Sequence, residues 1–258
     1  MSVKISRLHD TSCEKQLRDW LAGPRTRLLM QREQALLRPQ LAQLTGYRLL
    51  QVGTWGYGPE LLRHAGTLCQ WRLARWPGAH DDACFDGMNL PIASGSIDAL
   101  LLAHSLELAA EPHHLLRECE RVLSDRGQLI LVGFNARSVW ALAQRLPGHK
   151  QGRYVRSAQL FVPRRACDWL RLLGLEPELL VRYGVGFPLY RKTHSVTAPG
   201  QRRRPVGISS LAQAYIVVAR KRVVPLTRLH WQKTKAVKGG AHVVGLAHHG
   251  LGRVDSGR

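Results

Sequence analysis

This sequence predicts an α/β domain in which helices cover both faces of a parallel sheet, on three observations. A short apolar strand, Arg48-Leu49-Leu50-Gln51-Val52, runs straight into the glycine-rich turn Gly53-Thr54-Trp55-Gly56-Tyr57-Gly58 and then into a helix start at Pro59. Two continuous apolar runs, Ile97 to Ala103 and Gln128 to Phe134, are separated by a helical pattern. A last apolar run, Ala214 to Ala219, follows a further helix and strand. Strands apolar along their whole length are buried on both faces, and parallel sheets between helices have that property.

The elements follow in chain order. Residues 24–44 read as a helix opened by Pro24 and punctuated near Pro39, with Leu29, Leu37, Leu41 and Leu44 close to one face and Gly46 ending the segment. After the strand at 48–52, Pro59 to His64 reads as the first turns of a helix, a start that suits proline. Strand, glycine-rich turn and helix in that order is the local context of a nucleotide-type site. Leu68 to Leu73 reads as a second strand, and residues 74–89, rich in Pro, Gly, His and Asp, carry no clear period. Ala93-Ser94-Gly95-Ser96 is a turn before the strand Ile97 to Ala103. Glu111-Pro112 opens a helix whose apolar face is Leu115, Leu116, Cys119, Val122 and Leu123, and Asp125-Arg126-Gly127 stops it. Beyond Asn135 come a helix from Val139 to Leu146, a basic loop, a helix from Arg164 to Leu173 ended by Gly174, a strand from Leu179 to Tyr183, and an exposed loop over 191–207. Periodicity fades from Pro225 onward, where little fixed structure is expected.

Composition bounds the class. The chain has 258 residues, 45% hydrophobic and 22% charged, ordinary for a soluble globular protein. No run approaches the roughly 20 apolar residues of a membrane-spanning helix. No apolar stretch follows the positive residues of the N-terminus, so the expected location is the cytoplasm. Five scattered cysteines, Cys13, Cys69, Cys84, Cys119 and Cys167, have no C-x-x-C spacing and read as reduced, mostly buried thiols. The pairs His113-His114 and His248-His249 lack the i,i+4 spacing of a metal-binding helix, and no metal is expected. The net charge of +20 is the unusual feature. It crowds the last quarter in Arg202-Arg203-Arg204, Arg220-Lys221-Arg222, Arg228, Lys233, Lys235 and Lys238. Such a tail either is simply solvated or takes an anionic partner, RNA or an acidic protein.

Several segments then resemble a known family in order and at the right separations. Leu90-Pro91-Ile92-Ala93-Ser94-Gly95-Ser96-Ile97-Asp98 is similar to the L-P-F-x-x-x-S-F-D segment of the type 11 class I methyltransferases. His104-Ser105-Leu106-Glu107-Leu108 resembles that family's H-x-L-E-H after the fourth strand. Leu115-Leu116-Arg117-Glu118, Arg121-Val122-Leu123 and Gly127-Gln128-Leu129 resemble its L-L-R-E, R-V-L and G-x-L. The similarity covers residues 45–135, and the strands near 179–183 and 214–219 would complete the family's sheet.

The resemblance implies a Rossmann-like, seven-stranded, mostly parallel sheet and S-adenosylmethionine (SAM) as cofactor, with a methyl acceptor the sequence does not identify. It divides the chain into an N-terminal helical segment (1–45), the methyltransferase domain (46–222) and a basic tail (223–258). The residues it assigns to the cofactor are Gln51, Gly53, Thr54, Trp55, Gly56, Gly58, Asp86, Gly87, Met88 and His104. Gly53, Gly56 and Gly58 would let the backbone approach the cofactor. Gln51 stands where the family carries an acid. Asp86 matches the acid that accepts a hydrogen bond from the adenine amino group, and its alternative role is to cap a turn before Gly87. His104, where ligands of open α/β sheets converge, is the first candidate to accept a proton from the acceptor, and Glu107 the second. A packing role is the alternative for His104, an exposed helix position that for Glu107. Tyr154, Tyr183, Phe187 and Tyr190 lie where the family covers its substrate, although aromatics there also suit a core.

One departure bears on the clamp. Residues 74–85 are too few for the helix and third strand that the family places before Asp86, and Arg72 and Arg75 stand where an acid is expected. Either the second strand lies elsewhere or part of the clamp has been lost. The alternative function is a degenerate methyltransferase fold that binds nucleic acid or protein through its basic tail. A nicotinamide-dependent oxidoreductase ranks below both, since the turn lacks G-x-G-x-x-G and no acid follows at about 20 residues.

Overall fold

The computed structural model describes residues 26–53, 61–75, 81–145, 159–184, 195–197 and 211–222. The elements are α1 (Arg27–Ala42), β1 (Arg48–Val52), a 3-10 turn (Leu62–His64), β2 (Cys69–Ala74), β3 (Ala83–Cys84), β4 (Ile97–Ala103), α2 (Pro112–Val122), β5 (Leu123–Phe134), α3 (Val139–Arg145), α4 (Pro163–Leu172), β6 (Leu175–Tyr183), β7 (Ser195–Thr197) and β8 (Ala214–Lys221). They build one 8-stranded sheet in the order β3-β2-β1-β4-β5-β8-β6-β7. The pairs β1–β2, β1–β4, β2–β3 and β4–β5 are parallel, and β8 runs antiparallel between β5 and β6. Without the three-residue edge strand β7, this is the expected seven-stranded, mostly parallel order.

The alternation of β4 shows how the layers form. Ala99, Leu101 and Ala103 face the core layer holding Leu29, Leu37 and Leu41 of α1. Leu100 and Leu102 face the opposite layer, with Leu115, Leu116, Cys119 and Val122 of α2 and Ala166, Trp169 and Leu170 of α4. Helix α1 passes through Pro39 instead of breaking there. Proline removes the bond to the carbonyl of Ala35, but both residues are exposed, so water can satisfy that carbonyl. On the buried side, Leu29, Met30, Leu37 and Leu41 continue the apolar stripe, and Glu33 interrupts it while fully buried.

Local hydrogen bonds account for parts of the motifs. Asp98 Oδ2 accepts from the backbone N–H of Tyr47 at 2.7 Å and of Arg48 at 3.0 Å, pinning the entry of β1 to β4. Gly46 has φ +140°, and a Cβ there would sit 2.5 Å from the Asp98 Cβ. The aspartate of the S-I-D segment is therefore structural.

Four boundaries differ from expectation. β5 begins at Leu123, immediately after α2, because Leu123 pairs with Ile97 before the register shifts. β6 begins at Leu175 instead of Leu179, since its first residues pair with the end of β8. The segment after the glycine-rich turn holds only the 3-10 turn at 62–64 among the described residues. A two-residue strand, β3, pairs in parallel with β2 through Leu73–Ala83 and Ala74–Cys84. β2 thus lies where the sequence places it, and residues 75–82 alone make a connection that usually takes a dozen residues or more. Among the described residues no helix is long and apolar enough to cross a membrane.

Candidate cofactor site

The C-terminal ends of β1 and β4 meet at Gly53. Its φ is +96°, its N–H donates to the Leu73 carbonyl at 2.9 Å, and a Cβ there would lie 1.6 Å from Ser105 Oγ and 2.7 Å from the Ala103 carbonyl oxygen. Only glycine tolerates both that conformation and that crowding. Ser105 Oγ in turn donates to the Val52 carbonyl at 2.8 Å, stitching the two strand ends together. Gln51, buried, donates from Nε2 to the Gly53 carbonyl at 3.2 Å, so its amide braces the turn from within. Thr54, Trp55, Gly56 and Gly58 lie outside the described residues.

The opposite wall is the segment after β3. Asp86 Oδ1 accepts from the N–H groups of Met88 (2.7 Å) and Asn89 (2.8 Å). These backbone hydrogen bonds, from Asn89 first, hold the exposed carboxyl below its ordinary range. Gly87 sits at φ +83°, buried against the Arg75 guanidinium. The wall is clamped from α2. Arg121 Nη1 donates to the Ile92 carbonyl at 2.9 Å and Nη2 to the Leu90 carbonyl at 3.0 Å, while Glu118 Oε2 accepts from the Leu90 N–H at 3.0 Å. Arg121 and Glu118 also pair twice with each other at 2.8 Å. The L-L-R-E and R-V-L motifs therefore fasten the L-P segment in place. Between the walls lies a small, mostly apolar pocket lined by Gly53, Arg75, Phe85, Gly87, Ser105, Leu108, Ala109 and Leu115.

On the other side of the β4 end lies a buried charged cluster. His104, at φ +52°, is fully buried and stacks on Phe134 with ring centroids 4.2 Å apart. Its Nε2 meets Glu33 Oε1 at 3.0 Å and its Nδ1 meets Glu107 Oε1 at 3.4 Å. Tyr183 donates a short hydrogen bond to Glu33, and the Phe134 N–H donates to Glu107 Oε1 at 2.7 Å. Burial pushes the imidazole toward its neutral form, but the charge of Glu33 and the hydrogen bonds the ring donates to both carboxylates outweigh it and lift the pKa to about 10. The ring is thus a held cation. Fully buried, with both ring nitrogens held by carboxylates, His104 stands apart from the pocket's lining. Glu107 is buried at the end of the sheet, not exposed on a helix.

The structure thus brings Gly53 and Gly87 into one pocket, sets Asp86 and Met88 beside it and Gln51 behind it, and separates His104 and Glu107 from its lining. Arg75, Ser105, Glu118 and Arg121 were absent from the predicted site, as was Glu33. Ser105, Glu118 and Arg121 lay in the matched motifs with no role assigned, Arg75 stood in place of an acid, and Glu33 was a charge on the apolar stripe of a helix. Tyr183 belongs to the core, and Tyr154, Phe187 and Tyr190 lie outside the described residues. Among those residues no cluster of His, Cys, Asp or Glu could hold a metal ion.

This sheet order, with a glycine-hinged pocket at the ends of β1 and β4, defines a class I methyltransferase fold, and comparison with known proteins agrees. Residues 58–131 match a family model described as a methyltransferase domain. The chain is 33% identical over 192 residues, 74% of its length and 75% of the other's, to the uncharacterized protein YafS of Escherichia coli (strain K12). The chain belongs to the SAM-dependent methyltransferases of the type 11 family. Among solved structures it resembles a SAM-dependent methyltransferase from Thermotoga maritima (TM-score 0.56, 16% identity, covering 81% of this chain and 100% of that one). One from Archaeoglobus fulgidus is similar (TM-score 0.52, 18% identity, 74% and 94%). At these identities the structural likeness speaks for the fold.

Proposed function

We propose that the pocket between Gly53 and Gly87 holds the nucleoside end of SAM, and that the acceptor approaches from the β4 end. The observation that carries this is the pair of left-handed glycines, each with a neighbour occupying the place of a side chain, facing one apolar space. The residues suit the group: Phe85, Leu108, Ala109 and Leu115 offer apolar walls to a flat base, and Gly53 offers bare backbone. Gly53, Gly87 and Met88 would supply backbone contacts, and Asp86 a carboxylate at the rim. SAM supplies an activated methyl group on a sulfonium, which the acceptor's nucleophile takes by displacement while the S–CH3 bond breaks.

The chain's own part is alignment and exclusion of water. Ser105 fixes the β1 and β4 ends, Arg121 and Glu118 fix the far wall, and Gln51 braces the turn. His104 works as a fixed cation positioning the loop that carries Ser105, Leu108 and Ala109. The acceptor is an O, N or C nucleophile. The protein works in the cytoplasm, and its basic tail takes an anionic partner, RNA or an acidic protein.

Calorimetric titration with SAM and S-adenosylhomocysteine (SAH), beside an Asp86→Ala variant, tests the site. Micromolar binding that weakens in the variant is expected. A folded protein that binds neither ligand would replace this reading with a degenerate fold that works through its tail. For the tail, binding to an RNA probe should fall steeply with salt as counterions are released, and should be lost on truncation after Arg222.

A further inference from the structure

The pocket is not an empty slot. Arg75, the first residue after β2, sends its guanidinium across it. On one wall the group lies flat against the backbone of Gly87: a Cβ there would be 2.3 Å from Nε, 2.4 Å from Cζ and 2.7 Å from Nη2. On the other wall Nη1 donates to the Leu108 carbonyl at 3.3 Å. The side chain therefore bridges the two walls between which the base and ribose would lie. This follows from the shortened passage between β2 and β3, which leaves Arg75 and no acid at the end of β2. Where an open α/β sheet grips a ribose diol with a carboxylate acceptor, this chain presents a bulky cationic donor.

Resting on the cofactor reading above, we infer that Arg75 competes with the nucleoside for the pocket and sets the pocket's preference between SAM and its product SAH. Two effects follow from one side chain. A conformer that fills the slot lowers apparent affinity for any adenosine ligand by the fraction of molecules left open. A guanidinium kept beside the site also repels the sulfonium, the one charge that SAM carries and SAH lacks, so it disfavours the substrate form more than the product form.

The test is calorimetric titration of the full chain and its Arg75→Ala and Arg75→Met variants with SAM and with SAH. Circular dichroism melts confirm that each variant is folded. Arg75→Ala should tighten both ligands by roughly tenfold, with SAM gaining about threefold more than SAH. Arg75→Met keeps the bulk and removes the charge, so it should show the SAM-over-SAH gain and little of the common one. Wild-type binding that weakens or does not change in Arg75→Ala overturns the inference while leaving the cofactor reading intact. Loss of binding in wild type and both variants overturns the two together. A wild type that binds poorly beside an Arg75→Ala variant that binds well supports both.

Discussion

His104 Nε2 and Glu33 Oε1 lie 3.0 Å apart beside the end of β4, with neither side chain exposed. With Glu107 on the other ring nitrogen, the cluster places two carboxylates around one imidazolium. Glu33 Oε2 and Glu107 Oε2 are buried without a hydrogen-bond partner. Such a cluster is costly to bury and more costly to break, because removing one member strands the charge of another.

Replacing Glu33 should therefore be severe for a residue so far from the cofactor pocket in sequence. Glu33→Ala is expected to cost about 3 kcal/mol or more in urea unfolding, the range for breaking a buried pair from one side. Glu33→Gln, which keeps an oxygen for the Tyr183 hydroxyl, should cost less.

The same pair predicts a pH dependence. The pKa of His104 is raised from its ordinary 6.5 to about 10 in the folded chain. Its contribution is then fully present below pH 6.5 and is lost as pH rises toward 10. Stability should fall across that window with a slope approaching about 1.4 kcal/mol per pH unit from this group. Urea midpoints of wild type and Glu33→Gln, compared from pH 6 upward, isolate the effect. Parallel curves would mean that Glu33 does not hold the proton.

At the pocket, Gly53→Ala should abolish SAH binding and lower the melting temperature, since the new methyl meets Ser105 Oγ at 1.6 Å in a left-handed backbone. Adding Ser105→Gly relieves that clash but leaves the Ala103 carbonyl at 2.7 Å, so rescue should be partial. Full rescue would show that crowding at Ser105 is the whole cause.

Arg121→Ala should free the Leu90–Ile92 wall. Amide exchange there should speed up, SAH binding should weaken, and the half-buried site makes a loss of about 1–2 kcal/mol reasonable. Arg121→Lys should not restore it, because a single ammonium cannot reproduce the fork that serves two carbonyls and a carboxylate.

The thiols should separate by burial. Burial holds Cys119 well above its ordinary range and lifts Cys167 to about 11, whereas Cys84 is exposed. Labelling with a thiol reagent followed by peptide mapping should find Cys84 modified in the native protein, and Cys119 and Cys167 only after unfolding.

The central strands were plain in the sequence because each is apolar along its length, and the H-S-L-E and L-P segments located the pocket's walls. Other features escaped for physical reasons. β3 is two residues long and offers no period to read. The early start of β6 rests on pairing with β8, a contact between distant residues. Asp86 fitted both a cofactor contact and a turn cap, and its hydrogen bonds are those of the cap. The local sequence names His104 and Glu107 together but not Glu33, which reaches the ring from 71 positions away. Arg75 was visible only as a missing acid, since the distance between the pocket's walls is not written in any one segment.

The hydrogen bond between Tyr183 and Glu33 spans 150 positions of chain. At ribosomal speeds of roughly 5–20 residues per second, about 8–30 s pass between the synthesis of the two partners. Through that interval the nascent α1 has no tyrosine to receive its carboxylate. His104, made in between, pairs with the same carboxylate oxygen, and the site is completed only when the far side of the sheet adds the tyrosine hydroxyl. Helix α1 is therefore among the last of the described elements to reach its final contacts, and sealing of the core around Glu33 reports that the chain has been completed at least as far as β6.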